Sequence, residues 1–284
     1  MDDIQKLIWN GQLNIEITLS QDLAIANLTR EARQINFKIP RNAYIISYLP
    51  FILMKFESIL KRKITNYDDL CNWWFSAEQQ SNSELKDFTE TPLMWNYPIG
   101  VSYDALSSNF TRETINKINN TSNIINVWKL TLYKTEKYPT NTILPIYTGM
   151  EEVRQQFMHQ WKQACYIMHG SAKLFMSLSL QETTILWDSI VENDHEKFLK
   201  VQKKIVPVQF TRNIPLRIHT GVQVVQPVCR SDKSLKNVLK IEFNEEITRV
   251  VVQGIEISTN YNASDLYCRF YSFDGFLYVS IIKN

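Results

Sequence analysis

The hydrophobic positions of the chain change period several times, and each change marks an element. Ile4, Leu7 and Ile8 fall at helical spacing within Asp2 to Trp9, and Asn10-Gly11 ends that run. Leu13, Ile15, Ile17 and Leu19 then alternate with polar residues, as do Ile35, Phe37 and Ile39 beyond a polar loop, so two strands with one buried face are predicted. A helical stretch follows from about Pro50 to Lys61. Pro98 to Asp104 (PIGVSYD) and Val127 to Tyr133 (VWKLTLY) read as two more strands, separated by an Asn/Thr/Ser-rich loop around Ser107 to Asn123.

The middle of the chain switches to a helical period. Phe157, Trp161, Ala164, Cys165 and Met168 share one face of Glu151 to His169. Ser179-Leu-Gln-Glu182 is a capping-box pattern that opens a second helix through Val191, and Asp194 caps a third with Phe198, Val201 and Ile205 turned inward. Pro207 closes the region. Beyond it Ile214, Leu216 and Ile218 alternate, Val222 to Val228 pairs back as a hairpin, and Leu235, Val238 and Leu239 form a helical stripe behind Ser234. Arg249 to Ile257 is strand-like around Gly254, Asn262 to Phe270 is a short helix, and Asp274-Gly275 turns into a final β-rich run, Phe276 to Ile282.

Both ends thus show the order strand, strand, helix, strand, strand, which is that of a ubiquitin-like grasp. The expected fold class is α+β, with two ubiquitin-like (β-grasp) domains flanking a helix-rich domain and a short N-terminal helix. The expected bounds are 1–10 for the leading helix, 11–148 for the first ubiquitin-like domain, 149–206 for the helix-rich domain and 207–284 for the second ubiquitin-like domain.

Composition narrows the function. A 284-residue chain with 44% apolar and 12% aromatic residues builds more than one core, and 31 basic against 29 acidic residues exclude bulk electrostatic binding to nucleic acid. The start carries acid where a secretion signal needs base, so the chain is expected to begin at Met1. The longest apolar stretch, Tyr44 to Met54, is interrupted and far below the ~20 residues of a membrane span, so a soluble protein is expected. Four scattered cysteines form no Cys-x-x-Cys pair, which gives neither a zinc site nor a disulfide framework. A reducing cytoplasm fits, and the Asn-x-Ser/Thr matches at Asn27 and Asn109 are expected to stay unglycosylated. Seven glycines form no phosphate-binding loop, and neither a cofactor nor a metal is expected.

Few residues carry candidate chemistry. Cys165 and His169 lie four apart on one helix, the spacing of a thiol beside a base, yet Cys165 shares the apolar face with Trp161 and Met168 as a small hydrophobe does. His195-Glu196 and His219 match no metal spacing and read as surface or strand histidines. Lys197, Lys200, Lys203 and Lys204 are the solvated face of a helix, with a basic-patch lipid- or nucleic-acid-binding module as the alternative reading. Trp73-Trp74-Phe75 is core or interface, because three successive rings cannot all face one core. Lys162, beside Trp161, has no acidic residue among its helical-turn neighbours Met158, His159, Cys165 and Tyr166, which leaves its amine available.

Five segments in order, IWNGQLN (Ile8 to Asn14), MWNYPIGVSYD (Met94 to Asp104), HQWKQ (His159 to Gln163), QGIEI (Gln253 to Ile257) and SFDGFLYVSII (Ser272 to Ile282), resemble the autophagy protein 5 family nearly from end to end. The resemblance implies two ubiquitin-like domains around a helix-rich domain. It also implies that Lys162 receives the C-terminal glycine of the ubiquitin-like autophagy protein 12 through an isopeptide bond. Conjugating enzymes supply the thioester chemistry, so this chain is expected to have no active site of its own. The final residues Ile-Ile-Lys-Asn284 lack the terminal glycine of a modifier, which fits an acceptor. The resemblance further implies that the conjugate acts as a ligase-like scaffold for joining a protein of the autophagy protein 8 type to phosphatidylethanolamine. A coiled-coil partner, autophagy protein 16, is implied to bind through its N-terminal helix to the ubiquitin-like domains; Ile4, Ile8 and Trp9 are candidate contacts because the apolar stripe of the leading helix either meets a partner helix or caps the first domain. The expected location is the cytoplasm, peripheral on the preautophagosomal membrane.

Overall fold

The structure, a computed structural model, describes residues 2–79, 89–107, 126–206, 212–221, 223–243, 247 and 249–282. Helix α1 (Asp2–Trp9) leads into strands β1 (Gln12–Leu19) and β2 (Gln34–Pro40), helix α2 (Leu49–Phe56), strands β3 (Trp73–Gln79) and β4 (Thr89–Pro92), helix α3 (Ile99–Ser107) and strand β5 (Val127–Lys134). The first sheet runs β2-β1-β5-β3-β4, with β1 and β5 parallel at its centre and the other pairs antiparallel. The alternation read in the sequence sets the register: Leu13, Ile15, Ile17 and Leu19 are all buried, and Leu13 and Ile39 are paired across the strands.

Four helices follow: α4 (Met150–His169), α5 (Lys173–Met176), α6 (Leu180–Val191) and α7 (His195–Gln202). The capping box of α6 is present, with the Glu182 N–H donating to Ser179 Oγ at 3.2 Å and the Ser179 N–H donating to the Glu182 carboxylate at 2.7 Å. Asp194 caps α7 by accepting from the Lys197 N–H at 3.0 Å. The last unit contains β6 (Leu216–His219), β7 (Val224–Val225), α8 (Leu235–Phe243), β8 (Arg249–Val252), β9 (Ile255–Glu256), α9 (Ala263–Phe270) and β10 (Leu277–Ile282). Its sheet order, β7-β6-β10-β8-β9, repeats the wiring of the first, again with the two central strands parallel. The chain therefore holds two ubiquitin-like folds with a helical domain between them in sequence.

Two sequence expectations change and a third gains an element. Pro98 to Asp104, read as a strand, is the start of α3. That helix packs on strands of both sheets, and Ile99, Gly100, Val101, Ser102, Asp104, Ala105 and Leu106 are all buried. A helix buried on every side has no polar face, so the period of 3.6 is lost and the accidental alternation Ile99, Val101, Tyr103 dominates the pattern. The Trp73 to Phe75 cluster, assigned to no element, is β3: Trp73 and Phe75 point into the core, while Trp74 stacks on Tyr133 on the opposite face with centroids 4.4 Å apart. The predicted helix to Lys61 stops at Phe56 and continues as a 3-10 turn, Glu57–Ile59. The loop expected around Ser107 to Asn123, apart from Ser107, lies outside the described residues, as do Pro207 and Val222.

Strand β6 is covered on both faces, so Arg217 and His219, the polar half of its alternation, are buried rather than solvated. His219 is 3% exposed, meets the Tyr97 ring edge-on at 5.9 Å, and has no hydrogen-bond partner for either ring nitrogen among the described residues. Burial pushes its imidazole down to about 4. The folded state resists the proton that the unfolded chain accepts, so stability is intact above the ordinary value near ~6.5 and is lost as pH falls toward 4. Urea unfolding between pH 7.5 and 4.5 should show the wild type losing about 2–3 kcal/mol more than His219→Leu; parallel pH profiles would contradict the assignment.

Candidate functional site

The site is organised by α4. Gly149, at φ 90°, turns the chain into the helix, and Glu152 in the first turn accepts from the Tyr147 and Thr148 N–H groups at 2.7 and 2.9 Å. Gly170, at φ 71°, ends it in a left-handed cap. The helix serves two cores at once: Val153, Phe157, Trp161 and Cys165 belong to the core of the first ubiquitin-like and helical domains, whereas Ala164 and Met168 belong to that of the second ubiquitin-like domain.

Trp161 and Gln163 flank Lys162 and both reach the second ubiquitin-like domain. The Trp161 indole is fully buried and donates from Nε1 to the Phe273 carbonyl at 2.9 Å. It packs so closely beneath Gly275 that a Cβ there would stand 2.9 Å from two ring carbons. Gln163 Oε1 accepts from Arg217 Nη2 at 2.8 Å. The Arg217 guanidinium lies 3.6 Å from the centre of the Phe276 ring and donates through Nη1 to Tyr278 at 3.0 Å. The Tyr278 hydroxyl donates in turn to Asp274 at 2.6 Å. Asp274 is wholly buried, and burial pushes its carboxyl up against the opposing pull of Arg217 and the Tyr278 hydrogen bond.

Lys162 itself is half-buried and lines an open groove of about 520 Å3 with Met158, His159, Met176, Leu178 and Leu180. No ion pair or hydrogen bond engages its ammonium among the described residues. Met176 and Leu180 are among the most exposed apolar side chains described, at 67% and 79%. The groove is open and mixed in character, apolar at Met158, Met176, Leu178 and Leu180 and polar at Glu151, Arg154 and Thr183, with the helix behind it fixed from both sides of the lysine.

The other candidates are separated from this groove. Cys165 is fully buried, its thiol lies 3.5 Å from the Ser171 carbonyl, and burial pushes it up, opposite to what a nucleophile needs. His169 Nε2 is bonded to the Ile205 carbonyl at 2.8 Å. Lys197 pairs with Glu192 and Asp194, and Lys204 with Glu182, so half of the basic run is neutralised locally. Among the described residues no group of His, Cys, Asp and Glu could hold a metal ion.

The N-terminal candidates divide. Trp9 is buried against His195 and Phe198, with ring centroids 5.0 and 4.8 Å away, and donates to the Asn193 carbonyl at 3.1 Å. It is therefore an anchor for the chain's own helical domain, not an exposed contact. Gln5 ties α1 to the second ubiquitin-like domain by donating to the Cys268 carbonyl at 2.7 Å. Ile8 is half-buried; Ile4, at 38%, and Leu7, at 73%, form the exposed apolar edge. Leu7 lies one turn from Ile4 on that stripe, a signal the sequence reading used only to recognise the helix.

A second joint links the two ubiquitin-like domains directly. Arg41 pairs with Asp104, 5% exposed, and the other Asp104 oxygen accepts from the Gly254 N–H at 2.8 Å. Gly254, at φ 80°, sits so near that a Cβ would approach the Arg41 guanidinium to 3.0 Å. The segments picked out in the sequence therefore meet in pairs: MWNYPIGVSYD with QGIEI at this joint, and HQWKQ with SFDGFLYVSII at Trp161.

Comparison with known proteins follows the same division. Residues 8–133 match the model described as autophagy protein ATG5, UblA domain, residues 150–208 its alpha-helical bundle region, and residues 213–281 its UblB domain. Autophagy protein 5 of Vanderwaltozyma polyspora is 34% identical over 298 residues, covering 99% of this chain and 96% of the relative. The chain belongs to the autophagy protein 5 family. The Saccharomyces cerevisiae member is 30% identical over 300 residues, with the same two coverages, and the crystal structure of Kluyveromyces marxianus Atg5 superposes with a TM-score of 0.81 at 30% identity, covering 99% of this chain and 100% of that one. As a member of this family the chain is an autophagy protein, and no helix among its described residues is long and apolar enough to cross a membrane.

The joints predict how substitutions behave. Gly275→Ala forces a β-carbon into the Trp161 ring at a left-handed backbone position, φ 86°, and should cost about 2–4 kcal/mol in urea unfolding. Gly170→Ala is also left-handed but meets only the flexible end of Arg212 at 3.0 Å, so it should cost about 1 kcal/mol. Asp104→Ala leaves the Arg41 charge unpaired in the joint and should cost about 3–5 kcal/mol, with Asp104→Asn less damaging because it keeps a hydrogen-bonding oxygen.

Proposed function

We propose that Lys162 is the acceptor through which this chain is joined to a ubiquitin-like modifier, autophagy protein 12. The observation that carries the reading is the combination of an unpaired amine at an open groove with immobilised neighbours, Trp161 and Gln163, on either side of it. The reaction needs little else from the acceptor. The deprotonated Nζ attacks the carbonyl of a thioester held by the conjugating enzyme, the thiolate leaves, and the amine loses its second proton as the isopeptide bond forms. The chain supplies the nucleophile and its position, and the enzyme supplies the activated carbonyl.

The conjugate then serves as a ligase-like scaffold in joining an autophagy protein 8 type modifier to phosphatidylethanolamine, peripheral on the preautophagosomal membrane. The helix of a coiled-coil partner, autophagy protein 16, lies against α1, where Ile4 and Leu7 supply the apolar edge, Ile8 its margin, and Trp9 holds the helix in place from behind. The working domain bounds are 1–10, 11–148, 149–206 and 207–284.

In a reaction reconstituted with the activating and conjugating enzymes, Lys162→Arg should abolish the covalent product, because a guanidinium stays protonated and cannot act as the amine. Lys173→Arg, on the neighbouring short helix α5, should leave it unchanged. A conjugate of normal yield from Lys162→Arg would refute the reading. Cys165→Ala should lower stability by about 1–2 kcal/mol through lost packing and leave the yield intact; a folded Cys165→Ala protein that fails to conjugate would reinstate a role for the thiol.

A further inference from the structure

The groove that holds Lys162 also holds a histidine. His159 precedes Lys162 by one turn of α4, so the two side chains share a face of the helix, with β-carbons about 5–6 Å apart, and both line the same opening. Long helical side chains lean toward the N-terminus of their helix, which directs the Lys162 stem to the His159 side. His159 is exposed, and among the described residues no hydrogen bond or ion pair engages its ring. The other histidines are occupied or enclosed: His169 is bonded to the Ile205 carbonyl, His195 lies against the Trp9 ring, and His219 is buried.

No other base in the groove is placed to act on the lysine. Glu151 pairs with Arg154 at 3.5 Å and lies about three turns earlier, roughly 16 Å along the helix axis. The groove residues contributed by α5 and α6, Phe175, Met176, Leu180 and Thr183, carry no titratable group. On α4 itself the helical neighbours Gln155, Gln156 and Gln163 are neutral, Tyr166 follows on the far side of the lysine, and Lys173 of α5 lies outside the lining. Lys162 is therefore the charged group that His159 faces.

We propose that His159 accepts the proton that the Lys162 amine sheds as it is acylated, an inference that rests on Lys162 being the acceptor. The ammonium first loses one proton to solvent. Nζ then attacks the thioester carbonyl, the N–C bond forms, and the carbonyl π pair moves to oxygen. The neutral imidazole removes a proton from the nitrogen, which is now cationic; the oxygen pair returns, the C–S bond breaks, and the thiolate leaves with its electrons. The imidazolium passes its proton to solvent. Without a base at hand the cationic nitrogen is itself a leaving group, and the intermediate reverts to thioester and amine.

The test is the rate of isopeptide formation in a single turnover, with thioester-charged conjugating enzyme mixed with saturating full chain, as wild type, His159→Gln or His159→Ala, from pH 6.5 to 9. Near pH 7 each variant should react about a hundredfold more slowly than the wild type, the lower end of what a positioned base contributes. The deficit should shrink as pH rises toward 9, where solvent base takes the proton unaided, and added imidazole should restore product from His159→Ala in proportion to its concentration. An unchanged rate would overturn the inference. So would a loss that is constant with pH and not rescued by imidazole, which would mark His159 as a docking contact. Lys162→Arg separates the two readings: product from that variant would refute the acceptor and the inference together, whereas no product from it beside a full rate from His159→Gln would sink the inference alone.

Discussion

The contact between the Trp161 indole and the turn at Gly275 determines where the three domains stand. A tryptophan buries more surface than any other side chain, and here all of it is covered, with its N–H satisfied by the Phe273 carbonyl. The turn can approach the ring because residue 275 has no β-carbon and adopts φ 86°. Both requirements fall on sequence positions that look unremarkable singly, a tryptophan on a helix face and a glycine after an aspartate. Together they attach α4 to the second ubiquitin-like domain, while Phe157 and Cys165 on the same helix pack into the first core.

The polar groups of the joints add direction to that packing. Arg217, Tyr278 and Asp274 form a buried chain of charge-assisted hydrogen bonds, and Arg41, Asp104 and the Gly254 N–H form another. Such pairs contribute little net stability after desolvation, but an unpaired member is costly, so the Arg41–Asp104–Gly254 contact, which crosses between domains, permits one docking geometry, while the chain inside the second domain holds Arg217 in place to meet Gln163. Lys162 stands between two residues held by these contacts. The side chain keeps its own freedom while its backbone is fixed relative to both sheets, which suits the acceptor role proposed for it.

Much of this was legible in the sequence. The alternation in β1 and β2, the caps at Ser179 and Asp194, and the turn at Asp274-Gly275 are local signals, and they specified the elements where they occur. What local signals do not encode is the position of solvent. Arg217 and His219 occupy the polar half of an alternating strand, and α3 shows no polar face, because both are buried between domains whose docking no single segment encodes. Trp9 is ambiguous in the sequence for the same reason: a large ring at the end of an amphipathic helix suits a partner and a domain of its own chain equally, and in the structure it packs on Phe198. At the candidate site the lysine was visible as an amine without an acidic neighbour, whereas its fixed flanks, Gln163 with Arg217 and Trp161 with Gly275, needed the fold.

The central claim is that buried joints bind the domains into one cooperative body that holds α4 still. Native-state hydrogen exchange of the full chain measures this directly, through the opening free energies of central amides in β1, α4 and β10. The account predicts that all three sets exchange with the same free energy and the same urea dependence, set by global unfolding. Amides of α4 that open at a markedly lower free energy than those of both sheets would show an independently mobile helix, and would contradict it.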